Sequence, residues 1–118
     1  MVTLPEDFKD KELERLLIAA FIAANLEFTY ENMQKIVSIR IDDQIEGNVF
    51  AYDHVYVKVN TAFDIMGIDH VLKQGNVMNL EDLKFFIKLE SLFLNSTIID
   101  TSIDYTVLKS MPALIKVV

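Results

Sequence analysis

The sequence contains no cysteine, only three glycines and only two prolines among its 118 residues. The absence of cysteine excludes a disulfide scaffold, thiol catalysis and cysteine-ligated zinc. The scarcity of glycine and proline leaves little room for linkers or for flexible phosphate-binding loops. A chain of this length can bury a sizeable core without disulfide or metal staples, so residues 1–118 are predicted to form a single globular domain.

Acidic residues outnumber basic residues by 18 to 11, which gives a formal net charge of −7. A field of that sign repels nucleic acid and anionic membranes and favours a basic protein partner, besides promoting solubility. The acidic residues are spread along the chain, so no single run of them marks an interaction site. Hydrophobic residues make up 52% of the sequence, which argues against intrinsic disorder.

The longest apolar run covers residues 16–24, which carry no polar side chain. A helix of this sequence is apolar all round, so we expect neighbours to enclose it on every side, and its small alanines allow close approach. The run is too short to span a membrane, which takes about 20 apolar residues. Acid-rich residues without a basic leader precede it, so we expect no signal peptide and no membrane segment, and a cytoplasmic location.

The first half of the chain predicts one helix and two strands. Charge pairs, a proline and acid in the first turn predict a helix from about residue 6 that continues through the apolar run to about Leu26. Residues 36–42 are ambiguous between helix and strand, but alternating β-branched residues favour a strand. Residues 55–59 alternate in the same way. A turn over 42–48 would join the two into an antiparallel β-hairpin over about 36–59, with the opening helix as its cover.

The second half is predicted to be mainly helical. Residues 62–74 have apolar side chains at helical spacing and end at a glycine, and residues 80–94 follow after a capping-type start, which together predict a helical hairpin. A short helix over 101–108 and a terminal strand over 113–118, which could pair with the β-hairpin, complete the chain. The predicted fold class is therefore α+β: a mainly helical small domain with a central N-terminal helix, a β-hairpin and a helical hairpin.

The two histidines, His54 and His70, each follow an aspartate and could serve as general bases or bind a metal. Neighbouring residues on a strand point to opposite faces, so Asp53 cannot readily orient His54. On a helix, the side chains of Asp69 and His70 would diverge by about 100°. These residues fit no recognised metal spacing, so we interpret both histidines as ordinary surface or core residues and expect no metal or other cofactor.

Other catalytic and nucleic-acid signatures are weak. The glycines lie in no Gly-x-Ser-x-Gly or phosphate-loop context. The carboxylate pairs Asp42–Asp43 and Glu81–Asp82 are interpreted as turn residues and helix N-terminal charges. A helix-turn-helix over 62–94 would aim Glu81 and Asp82 at DNA phosphates, which argues against groove reading. The sequence thus predicts a protein that is not an enzyme and does not bind nucleic acid.

The leading hypothesis is a non-catalytic protein-binding module of inhibitor or immunity type, whose acidic surface engages a basic protein partner. The helix predicted over 80–94 is apolar beyond one stripe, so either two of its surfaces pack within the domain or one is left for another chain. The second hypothesis is therefore a chaperone or adaptor that uses this apolar helix surface and forms a homodimer. The third is an enzyme with a motif-free pocket. The candidate partner-binding residues are Phe85, Phe86, Leu89, Phe93, Asp42, Asp43 and Glu46.

Overall fold

The computed structural model describes residues 8–46, 49–59 and 65–117. It shows a small α+β fold in which one main helix packs on a five-stranded mixed sheet. The helices are α1 (Lys11–Ala23) and α2 (Tyr30–Met33), and the strands are β1 (Ile36–Glu46), β2 (Val49–Val59), β3 (Ile65–Leu72), β4 (Ser91–Asn95) and β5 (Lys116–Val117). Two 3₁₀ helices cover Glu81–Phe85 and Thr106–Ser110.

The strands lie in the order β3-β2-β1-β4-β5. The β1–β2 and β2–β3 pairs are antiparallel, whereas β4 is parallel to both β1 and β5. The predicted β-hairpin over 36–59 is confirmed as β1–β2. The turn predicted over 42–48 is wrong for residues 42–46, which belong to β1; residues 47–48 lie outside the described part. A terminal strand is confirmed within 113–118 as β5, but it pairs with β4 and not with the hairpin.

Asp10 fixes the start of α1. Its Oδ1 accepts hydrogen bonds from the backbone N–H groups of Glu12 and Leu13, at 3.1 and 2.9 Å. Its Oδ2 accepts two more from the N–H groups of Met78 and Asn79, at 2.7 and 2.9 Å. One carboxylate therefore caps the helix and ties it to the loop that precedes the first 3₁₀ helix.

The end of α1 is set by Asn25, which has a positive φ of 58°. The N–H of Leu26 then donates to the carbonyl of Phe21 at 2.9 Å, which is the long hydrogen bond of a Schellman motif. The helix predicted over 6–26 is thus confirmed in its apolar part but ends before Asn25. It also begins later than predicted, because residues 8–10 are not helical and α1 starts at Lys11; residues 6–7 lie outside the described residues.

α1 covers one face of the sheet. Gly67 of β3 points at this helix, since a Cβ built on it would lie 2.5 Å from the Cβ of Ala24. The register aligns Gly67 with Val57 of β2, and Val57 with Ile39 of β1, and both aligned side chains are fully buried. Close approach at the alanines of α1 and cover of the hairpin by the opening helix are therefore both confirmed.

The expectation that the apolar run 16–24 is enclosed on every side is wrong. Ile22 is 68% exposed, and Ala23 is exposed beside it. The residues of the run that are buried lie on the sheet side of α1 and are Leu16, Leu17, Ala20, Phe21 and Ala24. The helix is covered on one side only, because the sheet supplies a single apolar face. Among the described residues, no helix is long and apolar enough to cross a membrane.

The helix predicted over 62–74 is wrong, since residues 65–72 form β3 and 60–64 lie outside the described part. The β1–β2 hairpin leaves backbone hydrogen-bonding groups along the outer edge of β2, and the pairing of β3 satisfies them. Tertiary pairing therefore overrides the local helical spacing. The prediction of a mainly helical domain with a helical hairpin is overturned by this sheet, and the short helix predicted over 101–108 is instead the 3₁₀ helix Thr106–Ser110.

The helix predicted over 80–94 is also wrong. The chain there makes successive three-residue turns: the N–H groups of Leu83, Phe86 and Leu89 each donate to the carbonyl three residues earlier, at 3.0 Å. A turn of three residues brings every third side chain to the same side. The fully or almost fully buried apolar residues recur at that spacing and are Leu80, Leu83, Phe86, Leu89 and Leu92. The apolar period is therefore three and not 3.6, and the segment continues directly into β4.

Candidate functional site

The face of the sheet opposite α1 carries a regular array of side chains, here called the open face. Successive strand residues point to opposite faces, so the residues between the buried ones lie here. The open face includes Ser38, Arg40, Asp42, His54, Tyr56, Lys58, Met66, Ile68, His70, Leu72, Ser91 and Phe93. Among the described elements, α1 is the helix that packs on β2 and β3, and it lies on the other face.

The central row of the open face crosses four strands. The register aligns Phe93 of β4 with Arg40 of β1, Arg40 with Tyr56 of β2, and Tyr56 with Ile68 of β3. The guanidinium of Arg40 lies over the Phe93 ring, 4.7 Å from its centroid, in a cation–π contact. Its Nε also donates to the carboxylate of Asp42. The row is thus a continuous strip of aromatic, guanidinium and aliphatic surface.

A shallow depression of about 340 Å³ lies beside this row, lined by Arg40, Asp42, His54, Tyr56 and Ile68. His54 stacks on His70 across the β2–β3 pair, with ring centroids 4.9 Å apart and an angle of 17° between the rings. The side chain of Asp53 lies on the opposite face, as the sequence predicted, and does not orient His54. Residues 69 and 70 lie on a strand and not on a helix, so Asp69 is also turned away from the ring of its neighbour.

The stacked histidines do not converge on one point with each other. Their ring nitrogens lie in two nearly parallel planes, so the lone pairs run side by side and do not converge on one point. Within the described ranges, no group of three or more histidine, aspartate or glutamate side chains could hold a metal ion. The depression therefore offers aromatic, cationic and apolar contacts, which suit recognition of another molecule.

The strand β3 is one edge of the sheet and contributes the outermost side chains of the open face. Three of these side chains are large, apolar and about half exposed: Met66 at 55%, Ile68 at 44% and Leu72 at 52%. An edge strand presents unpaired backbone N–H and C=O groups, which can pair with a further strand. The opposite edge, β5, has only two residues. The long apolar edge is therefore on the β3 side.

A cluster of polar side chains lies where β1 and β2 approach the end of β4. Asp43 and Asp53 are register partners, and both contact the hydroxyl of Ser96. Asp43 also forms an ion pair with Lys73 and accepts a hydrogen bond from the N–H of Thr97 at 3.1 Å. Burial alone would raise the pKa of Asp43. The hydrogen bonds from Lys73, Ser96 and Thr97 nevertheless hold this pKa below its ordinary value. The carboxylate of Asp43 is thus engaged by other groups of the same chain.

Asp53 differs from Asp43, because it is fully buried. Its Oδ1 contacts Ser96, while its Oδ2 has no hydrogen-bond partner among the described residues. Burial raises the pKa of Asp53, against the opposing effects of the Ser96 hydrogen bond and the Lys73 charge. No local pattern in the sequence indicates this cluster, because its members come from four separate segments.

The predicted partner-binding residues are dispersed by the fold. Phe86 and Leu89 are fully buried, and Phe85 is half-buried against Tyr30, with ring centroids 4.7 Å apart. The apolar helix surface expected to carry them does not exist, because residues 81–85 form a 3₁₀ helix and residues 91–95 form β4. Of the apolar candidates, only Phe93 lies on the open face.

The predicted acidic residues are dispersed as well. Asp42 lies on the open face in an ion pair with Arg40, Asp43 lies in the polar cluster, and Glu46 ends β1 with its side chain outside the described part. The residues that sequence reasoning missed are those of β3, because they were assigned to a helix. In the structure the exposed Met66, Ile68, His70 and Leu72 alternate with less exposed residues, but the residue types of this segment fit a helix as well as a strand.

Comparison of the chain with protein-family models, with curated proteins and with solved structures finds no match.

Proposed function

We propose that this protein is a non-catalytic protein-binding module that engages its partner through the open face and the adjoining edge of β3. The observation that carries the proposal is the row Phe93–Arg40–Tyr56–Ile68 on the face opposite α1. Aromatic and arginine side chains are enriched at the centres of protein interfaces, where they contribute most of the binding energy. A strip of this kind across four strands supports a role in binding.

The β3 edge supports the same proposal. An extended segment of a partner can add a strand to a sheet edge, which satisfies the backbone groups of the edge and buries alternate side chains. The half-exposed Met66 and Ile68 point to the open face from this edge. A partner strand on β3 would therefore cover apolar surface and extend the open face at the same time.

The net charge of −7 favours a basic partner, as in binding of the inhibitor or immunity type. Asp42 and Asp43 each have a cationic partner within the chain, Arg40 and Lys73 respectively. We therefore assign the attraction of a basic partner to the electrostatic field of the whole molecule, and the direct contacts with that partner to the open face. A cytoplasmic location and the absence of a cofactor, of nucleic-acid binding and of membrane binding are parts of this proposal.

A chaperone or adaptor that forms a homodimer is the second candidate. The observation that favours it is the concentration of exposed apolar side chains on one edge strand, since two copies of β3 could pair with each other. In this case the binding surface would be complementary to itself, and association would depend on protein concentration.

The test is affinity capture from the native host with three proteins at low and high salt: the wild type, Ile68→Glu and the control Ile22→Glu. Both variants exchange an exposed isoleucine for glutamate, one on the open face at 44% exposure and one on the solvent side of α1 at 68%. We expect the wild type and Ile22→Glu to capture the same protein and Ile68→Glu to lose it. Capture of a basic partner should weaken at high salt.

Light scattering over a range of concentrations separates the two candidates. A homodimer would appear in the wild type and in Ile22→Glu and would be absent in Ile68→Glu. If Ile68→Glu captures the same protein as the wild type and shares its oligomeric state, the open face is not the binding surface. If Ile22→Glu alone loses binding, the surface lies on α1.

A further inference from the structure

The hydroxyl of Ser96 contacts more hydrogen-bonding groups than its single proton can serve. Its Oγ lies 2.8 Å from Oδ1 of Asp43 and also contacts Oδ1 of Asp53. It accepts a hydrogen bond from the N–H of Ile98 at 3.2 Å. A serine hydroxyl has one proton and two acceptor lone pairs. If both aspartates were ionised, one of the two oxygen–oxygen contacts would have no proton between the atoms.

The surroundings decide which aspartate supplies the missing proton. Asp43 receives donors from the Lys73 ammonium and the Thr97 N–H as well as from Ser96, which is the environment of an ionised carboxylate. Asp53 is fully buried and its second oxygen has no partner among the described residues, which strongly disfavours a charge there. A protonated Asp53 would donate to Ser96, which would then donate its own proton to Asp43.

We propose that Asp53 is protonated in the folded protein and that its proton, donated to Ser96, closes a pH-sensitive latch between the β1–β2 hairpin and the turn after β4. Loss of this proton leaves two carboxylates that compete for one hydroxyl proton, so the Asp53–Ser96 contact becomes repulsive. The turn at 96–97 then separates from the hairpin. The inference does not depend on the proposed binding function.

Charged groups on three other segments face this site. Asp43 of β1 adds a negative charge that favours the neutral form of Asp53, while Lys73, after β3, and Arg15 of α1 favour the charged form. Both cations are engaged elsewhere: Lys73 with Asp43 and Thr97, and Arg15 with the Glu12 carboxylate and the carbonyl of Leu72. Burial therefore outweighs their attraction, and the pKa of Asp53 is raised above its ordinary value.

Further hydrogen bonds hold the turn at 96–97. The Thr97 N–H donates to Asp43, and its hydroxyl accepts from Lys73 Nζ at 2.6 Å. The carbonyl of Ile98 then accepts from the N–H of Val77 at 2.7 Å. An open latch would leave these bonds without the anchor at Ser96, so the amides of residues 96–98 are the places where opening can be measured.

The experiment is carboxyl NMR and hydrogen exchange on the full chain over a pH series, with Asp53→Asn and Asp104→Asn. The side-chain amide that Asp53→Asn introduces can donate to Ser96 and cannot ionise, so this variant should hold the latch closed at every pH. Asp104 is an exposed aspartate that bonds Thr106 within its own turn and touches none of the latch residues.

We expect the Asp53 carboxyl of the wild type to titrate above the ordinary value of 3.8. The exchange protection of the Ile98 amide should fall as the pH rises in the wild type and in Asp104→Asn and stay constant in Asp53→Asn. The opening equilibrium changes by about tenfold for each pH unit between the titration midpoints of the closed and open latch. An Asp53 midpoint at or below 3.8 would overturn the proposal, even if Asp53→Asn fails to fold. Equal pH dependence in Asp53→Asn and the wild type would do the same.

Discussion

Gly67 of β3 lies directly against the backbone of α1: a Cβ at this position would lie 2.4 Å from the nitrogen of Ala24 and 2.6 Å from the carbonyl oxygen of Ala20. Both atoms belong to the C-terminal end of α1, which includes its C-cap Ala24 and cannot shift without losing its packing on the sheet. We predict that Gly67→Ala lowers the free energy of unfolding by about 1–3 kcal/mol, the usual cost of overpacking a core. Urea denaturation of the two proteins measures this difference.

The matched control is Gly75→Ala. A Cβ there would lie 3.2 Å from Oε2 of Glu12, the far end of a long side chain, which needs to move by only a few tenths of an ångström. We expect the free energy of unfolding to change by less than about 0.5 kcal/mol. Equal losses of unfolding free energy in Gly67→Ala and Gly75→Ala would show that the close contact between β3 and α1 is not the cause of the destabilisation.

Removal of the Asp10 carboxylate should destabilise the protein through two effects. Loss of the α1 cap costs about 0.5–2 kcal/mol. The N–H groups of Met78 and Asn79 also lose their acceptor, and such unsatisfied groups cost about 1–3 kcal/mol when buried. We therefore expect Asp10→Ala to lower the free energy of unfolding by about 2–4 kcal/mol, as measured in urea. Asp10→Asn keeps one acceptor oxygen and should lose less; an equal loss would mean that charge, and not hydrogen bonding, carries the effect.

The parts of the fold that the sequence predicts correctly are those where the local pattern and the tertiary structure agree. The alternation of β-branched residues in β1 and β2 matches a sheet with one buried face, and the apolar run over 16–24 matches a helix packed on that face. In β3, the spacing of the apolar residues fits a helix as well as a strand. The segment forms a strand because it pairs with the free edge of β2. That edge arises only when the β1–β2 hairpin has formed, so the local sequence does not predict it.

The candidate site was predicted less well for a related reason. Asp42 and Phe93 were both among the predicted partner-binding residues, and the structure brings both to the open face. The stacking of His54 on His70 depends on the β2–β3 register, which no local pattern fixes once residues 62–74 are taken as a helix. The three-residue period over 80–92 was present in the sequence but resembles a helical stripe over so short a segment.

Phe85 and Phe86 provide a test of that period. Phe86 is fully buried and makes an edge contact with Phe21, with ring centroids 6.3 Å apart, whereas Phe85 is half-buried. We predict that Phe86→Ala lowers the free energy of unfolding by about 3–5 kcal/mol and that Phe85→Ala lowers it by roughly half as much. Thermal and urea unfolding give both values. A larger loss for Phe85→Ala than for Phe86→Ala would contradict the three-residue period. It would favour the helix predicted over 80–94, with Phe86 available to a partner.

The acid limb of the stability profile should depend on Asp43. The pKa of this carboxyl is lowered in the folded protein, because the hydrogen bonds from Lys73, Ser96 and Thr97 outweigh the opposing effect of burial. A group with a lowered folded-state pKa adds stability that is fully present above its ordinary value of 3.8 and is lost as the pH falls through the lower, folded value. We therefore predict that the Tm of the wild type falls more steeply below that pH than the Tm of Asp43→Asn. Differential scanning calorimetry over an acidic pH series measures both slopes.

Glu90→Gln is the control for this measurement, since Glu90 is exposed and its side chain takes part in none of the cluster contacts. Its acid limb should follow that of the wild type.

Asp53 acts in the opposite direction. Its folded-state pKa is raised, so its contribution to stability is complete below pH 3.8 and is lost as the pH rises towards the folded-state pKa. The two aspartates should therefore give a stability maximum on the acid side of neutrality. Asp43→Asn should remove the fall on the acid side of this maximum, and Asp53→Asn should remove the fall on its alkaline side. Parallel acid limbs in the wild type and Asp43→Asn would mean that the ion pair with Lys73 does not persist in solution.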